Sequence, residues 1–224
     1  MSTQTTEYLE AVNHLPPGAA LVFQQVRWEE YEQLSKDLVD RPGVRVSYNE
    51  GRLEIMSPLP EHEEYKESIY SMVRIFSVET GIELETRGSA TWKRRSIRKG
   101  AEPHTCCYVA SAARIIGKRR IDLESDPPPD VAVEIDTTNE SLSKFPIYAA
   151  LGVPEIWRYD GKHAHIYELA ARAYSETAES RFFPGLTAQM NTDFLDLAKD
   201  QGQTKAITAF RKRIHAKKTR RQKR

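Results

Sequence analysis

Sulfur is scarce in this 224-residue chain, which has only two cysteines, the neighbours Cys106 and Cys107. Adjacent cysteines are poorly placed for an ordinary disulfide, so a cross-linked secreted scaffold is excluded and a reducing compartment is expected. No second pair stands at ligand spacing, which removes a structural Cys/His zinc site. Long apolar runs are missing too, with nothing approaching the roughly 18 residues of a membrane span. Met1 to Glu10 shows no basic segment followed by an apolar one, so no secretory signal is read and a cytoplasmic location is expected. No internal repeat is visible. With 39 % hydrophobic residues the chain can bury one good core.

The net charge of +1 conceals a segregation. Nine of the 33 Lys and Arg lie between Arg211 and Arg224 with no acid among them, leaving 24 bases against 32 acids elsewhere. Inside the acidic body sit two further basic clusters, one of Lys93, Arg94, Arg95, Arg98 and Lys99 and one of Lys118 to Arg120. Such blocks suit phosphate backbones, which makes the first cluster, with Arg211 and Arg213, the candidate nucleic-acid contacts. A solvated terminal run is the plainer alternative.

Periodicity predicts the elements. Residues 1–24, with Pro16, Pro17 and Gly18, read as a leader, 25–200 as one domain and 201–224 as a basic tail. Trp28, Tyr31, Leu34 and Leu38 are spaced as a helix that ends before Pro42-Gly43. Val44 to Met56 alternates around Asn49-Glu50-Gly51, a hairpin signal. His62, Tyr65, Ile69, Met72 and Phe76 mark the inner stripe of a helix stopped by Gly81. Strands are expected over Ile82 to Arg87, Ser89 to Lys93 and His104 to Ala110. A helix over Glu140 to Leu151 is capped by Gly152, and a hairpin turns through Asp160-Gly161. Leu195 to His215 reads as a last helix, and Trp157 as core. This order gives an α/β domain with a mixed sheet.

Pro127 to Asp136 is the segment richest in chemistry. Residues two apart in a strand share a face, so Asp130, Glu134 and Asp136 line one side with Ala132, opposite Val131, Val133 and Ile135. Carboxylates on a strand beside a cleft can present oxygen to a divalent metal, although a half-buried strand also alternates by default. Ligand oxygens must come within roughly 2.0–2.6 Å of an ion. Asp130 and Glu134 are separated by about 13 Å along a strand, and Glu134 and Asp136 by about 7 Å. A working site therefore needs a group from a neighbouring strand.

Gly51-Arg52-Leu53-Glu54-Ile55-Met56-Ser57-Pro58, His62, Gly100-Ala101-Glu102-Pro103-His104, Pro129 to Ile135, Lys144, Tyr148 and Gly152 to Trp157 together resemble the Uma-type family of restriction endonucleases. The resemblance runs from about Trp28 to about Leu169 and leaves out the basic end. It implies a restriction endonuclease-like PD-(D/E)XK fold, a mixed β-sheet flanked by helices, acting on DNA with magnesium or manganese. By this likeness Glu134 is the strand glutamate, Lys144 a lysine displaced to the next helix, His62 the helix histidine and Glu54 part of the leading strand. Glu102-Pro103-His104 stands where the family reads Glu-Pro-Asp, so an imidazole replaces the carboxylate expected to face Glu134. The candidate catalytic residues are thus Glu134, Lys144, His104, His62 and Glu54, and the candidate metal ligands are Glu134, His104 and Asp136, with Glu102 a further compensating carboxylate.

Each has a plainer counterpart: Lys144 and Glu54 as solvated residues, His62 as a satisfied core histidine, His104 packed beside Cys106. Losing a carboxylate weakens magnesium, whereas imidazole suits softer ions. The functional expectation is a divalent-metal-dependent DNA endonuclease with an altered site, and the alternative is a nucleic-acid-binding module that does not cut. A homodimer would suit cutting two strands.

Overall fold

The computed structural model describes residues 3–38, 43–137 and 141–222, with side chains from 7 to 216 within those spans. Helix α1 (Thr3–Asn13) and strand β1 (Ala20–Phe23) precede α2 (Trp28–Asp37). Strands β2 (Arg45–Asn49) and β3 (Arg52–Met56) form the expected hairpin, with Asn49 opposite Arg52. Its two turn residues, Glu50 and Gly51, are left-handed at φ 48° and 102°, the conformation that suits a tight hairpin. Helix α3 (Pro60–Thr80) begins on a proline, where the missing N–H costs nothing, and ends at Gly81 as predicted.

Four short strands follow: β4 (Glu85–Thr86), β5 (Trp92–Arg94), β6 (Lys99–Ala101) and β7 (Thr105–Tyr108). After one turn of helix, α4 (Ala112–Ile115), come β8 (Val131–Ile135) and α5 (Phe145–Leu151), capped by Gly152. Strands β9 (Glu155–Tyr159), β10 (Ala164–Ala170) and β11 (Ala173–Thr177) lead to α6 (Ala188–Gln201) and α7 (Gln203–Gln222). The predicted helix start at Glu140, like Pro42 ahead of β2, lies outside the described residues.

Two sheets result. The first, in the order β1-β3-β2-β6-β5, is antiparallel throughout. The second, β11-β10-β9-β8-β7-β4, is the mixed sheet, with β8 parallel to β9 and antiparallel to β7. The chain passes from one to the other through Glu102–His104, between β6 and β7. Helices flank the second sheet on both faces. Val131, Val133 and Ile135 share a core with residues of α3, α6 and α7, while Ala132 packs with Cys106, Ile147, Tyr148 and Leu151. Strand β8 is therefore central and buried on both sides, and its acidic face is not a solvated one. Both cysteines are free and buried, and among the described residues no helix is long and apolar enough to cross a membrane.

Both ends differ from the sequence reading. In the expected leader, β1 pairs with β3, and Tyr8 and Val12 of α1 join the core of α2 and the first sheet. In the expected tail, Ala206, Phe210 and Ile214 of α7 are buried in the main core. The single predicted last helix is two, broken at Gly202 with φ 89°. The β9/β10 hairpin turns one residue later than expected: Asp160 N–H donates to the His163 carbonyl at 3.1 Å, which leaves Gly161 and Lys162 as the turn.

At Gly100 a close approach requires glycine, because an added Cβ would lie 2.1 Å from Tyr31 Oη and 2.8 Å from Cζ. Gly100→Ala is expected to lower stability by about 1–3 kcal/mol in urea unfolding. The Tyr31 hydroxyl is buried without a partner, so Tyr31→Phe should recover part of that loss. An unchanged midpoint in Gly100→Ala would refute the packing argument.

Candidate active site

Glu134, on β8, turns toward α5, and the first turns of that helix answer it. Lys144, just before α5, places Nζ 3.1 Å from Oε2 and 3.3 Å from Oε1 of Glu134. One turn on, the Tyr148 hydroxyl donates to Oε1. From the other side comes His104, whose backbone N–H donates to the Val133 carbonyl at 3.0 Å and whose Nδ1 lies 3.0 Å from Oε2. Two elements beside the strand thus converge on one fully buried carboxylate. Burial works against its charge, but Lys144 and His104 outweigh burial and hold the carboxyl at about 2.

Burial pulls the His104 imidazole below its usual range. A neutral ring facing an ionised carboxylate must carry its proton on Nδ1 and donate it. The Ile135 N–H also approaches Nδ1, at 3.2 Å, but one nitrogen cannot both accept from Ile135 and donate to Glu134, and the charge of the carboxylate decides. Nε2 is then a lone pair, buried and without a partner. His62, in the first turn of α3, packs edge-to-face against the His104 ring, with centroids 5.2 Å apart at 75°. Its Nε2 is hydrogen-bonded to Thr137 Oγ1, and its Nδ1 is also buried without a partner. Burial, with His104 next, lowers the His62 imidazole to about 4.

Arg45 at the start of β2 bears on both histidines and holds Glu63 at 3.2 Å. Glu102 is turned away, accepting from the Val46 N–H at 3.3 Å and from the Thr91 hydroxyl, and burial pushes its carboxyl up.

The structure therefore gathers Glu134, Lys144, His104 and His62, and leaves out others. Asp136 is not placed as a metal ligand: its Oδ2 accepts from Arg158 Nε at 2.5 Å and from Ser141 N and Oγ at 2.9 and 3.0 Å. Arg158 stands beside Glu134 in the β8/β9 register, close enough to claim the aspartate that follows. Asp130 Oδ2 caps the turn after β7, accepting from Val109 N, Ser111 N and Ser111 Oγ at 2.7–2.9 Å. Glu54 belongs to the first sheet and pairs with Arg52 at 2.7 Å.

The basic candidates are largely engaged as well. Arg95 pairs with Glu32 at 2.5 Å, Lys99 with Glu50 at 3.3 Å, and Arg94 donates to the Leu123 carbonyl at 3.0 Å. Lys93 lies over the Tyr31 ring, whereas Arg98 is exposed. Arg211 pairs with Glu79 at 2.7 Å and Arg213 with Asp193 at 2.6 Å, so both fasten α7 to the body.

Sequence reasoning gave no role to Tyr148, Arg45 or Thr137. The four-residue spacing of Lys144 and Tyr148 was the one local signal, since it puts both on one helix face. Arg45 and Thr137 reach the site only through tertiary contacts.

The donor set does not fit magnesium, which takes oxygen ligands in near-octahedral geometry. Both Glu134 oxygens already accept from Lys144, Tyr148 and His104, and the second carboxylate of the strand is held by Arg158. Among the described residues no group of three or more His, Cys, Asp or Glu is placed to hold an ion.

Comparison with known proteins agrees with the architecture. The family described as "Uma2: Putative restriction endonuclease" matches residues 28–195. A crystal structure titled as "a putative nuclease belonging to DUF820" from Anabaena variabilis superposes with a TM-score of 0.52 at 13 % identity, covering 76 % of this chain and 99 % of that one. At that identity the likeness concerns the fold. No curated protein matches. With three quarters of its length matched and the nuclease-like fold in place, the chain belongs to the Uma2 family of restriction endonuclease-like proteins.

Proposed function

We propose that this chain acts on DNA phosphodiesters as an altered endonuclease whose centre is Glu134 and Lys144, with His104 at the position of the missing aspartate. The observation that carries the reading is the buried Glu134–Lys144 pair at 3.1 Å, a strand carboxylate and helix ammonium brought together inside a nuclease fold. Such an ammonium can stabilise negative charge growing on a phosphoryl oxygen, because a preorganised cation in a dry site costs no rearrangement. Tyr148 is a positioning residue that holds the Glu134 carboxylate in place. A divalent ion would supply a bound water of lowered pKa, but the present donors do not offer magnesium an oxygen pair, and manganese tolerates imidazole better. The second reading, a DNA-binding module that does not cut, is favoured by the full occupation of both Glu134 oxygens. Exposed Arg98 and, on α7, Arg211 and Arg213 are the contacts proposed for DNA, and two copies would serve two strands.

Plasmid nicking decides between them. Wild type is expected to be inert in magnesium and to nick slowly in manganese, with Glu134→Ala abolishing the reaction. No nicking with either ion, combined with a gain in His104→Asp, would establish the binding module. Rapid cleavage in magnesium would show the description of the centre to be wrong.

A further inference from the structure

We infer that the two facing histidines form a site for a nitrogen-preferring divalent ion of the zinc, cobalt or nickel class, bound through His104 Nε2 and His62 Nδ1, with Glu134 behind His104 as its hydrogen-bond partner and not as a ligand. This rests on the reading of the same centre and deepens it, since it names a class of ion beyond manganese that the paired imidazoles would bind.

Histidines that bind metals usually give their second ring N–H to a carboxylate or another oxygen, which fixes the tautomer and makes the coordinating nitrogen more basic. Both residues have that support: His104 Nδ1 is 3.0 Å from Glu134 Oε2, and His62 Nε2 is bonded to Thr137 Oγ1. Each is only 1 % exposed, and in each the remaining nitrogen is buried with no partner. Buried polar atoms are nearly always satisfied. Two orphaned nitrogens on neighbouring rings, whose centroids are 5.2 Å apart at 75°, are read as sharing one occupant.

Chemistry narrows that occupant. Imidazole nitrogen suits zinc, copper and nickel, and offers magnesium little. The geometry also separates Glu134 from the ion, because the two nitrogens of one imidazole point apart and the carboxylate is bonded to Nδ1. Arg45 opposes a cation nearby, but its guanidinium is paired with Glu63 at 3.2 Å, and the Glu134 charge lies on the other side of His104. Two protein ligands leave the coordination of the ion incomplete, so small buried ligands such as water would have to supply the rest.

The test uses the full chain stripped with a chelator and no DNA. Cobalt is titrated by its visible absorption, and zinc, nickel and magnesium by calorimetry. One cobalt or zinc per chain and no magnesium is the expected result. His62→Ala and His104→Ala should each remove binding, with circular dichroism confirming that the variants fold. Thr137→Val and Glu134→Gln should keep the stoichiometry and weaken affinity about 10–100-fold. Absence of binding by cobalt, zinc and nickel would overturn the proposal and leave water as the bridge. Binding that survives His62→Ala would overturn it equally. Because the titration contains no DNA, failure of the plasmid assay leaves its outcome untouched, and the reverse also holds.

Discussion

Lys144→Met is expected to lower the unfolding free energy by about 3–5 kcal/mol, the cost of leaving one partner of a buried ion pair uncompensated. Lys144 and Glu134 have side chains only 5 % and 0 % exposed, so solvent cannot take over for the missing ammonium. Tyr148 and His104 would still donate to the carboxylate, but neither brings a full positive charge. The double variant Lys144→Met with Glu134→Gln should be markedly more stable than Lys144→Met alone, because a neutral amide can still accept from Tyr148 without needing a counter-charge. Urea unfolding of the two singles and the double closes the cycle. Additive losses would mean that the two groups do not depend on one another, contrary to their geometry.

Phe210→Ala should be as costly, about 3–5 kcal/mol, because it empties a large aromatic volume in the main core. The ring of Phe210 lies 5.4 Å from Phe194 and 6.4 Å from Phe76, which ties α7 to α6 and α3 together. By contrast, Arg211→Ala and Arg213→Ala remove exposed ion pairs, each worth about 0–1 kcal/mol. Thermal or urea unfolding of the three variants separates the cases. A mild Phe210→Ala would restore the view of this segment as a dispensable tail, and truncation before Arg211 is a poor probe of DNA binding because it also removes buried Ile214.

The contrast between these two regions shows what the sequence could convey. Where local chemistry is decisive, sequence and structure agree: Gly81 ends α3, Gly152 ends α5, and Asn49-Glu50-Gly51 turns the first hairpin. Strand β8 was legible from alternation, and of the residues singled out from the family likeness His104 and Lys144 lie within hydrogen-bond reach of Glu134. Long-range pairing was not legible. Arg158 takes Asp136 through a parallel register set by residues more than twenty positions away. In α7, Ala206, Phe210 and Ile214 recur every four residues, yet the surrounding lysines and arginines masked that stripe. Pro16-Pro17-Gly18 likewise suggested a loose leader, although β1 begins only two residues later.

The passage of the chain through Glu102–His104 has a mechanical consequence. These three residues belong to the seam of the molecule: the Glu102 carboxylate grips β2 of the first sheet through Val46, and the His104 backbone grips β8 of the second through Val133. Any rotation of one sheet against the other must twist this short strut and swing the imidazole relative to Glu134. Rigidity of the sheet junction and precision of the centre are thus one property, and a substitution in the first sheet that loosens β2 will detune a site it never touches.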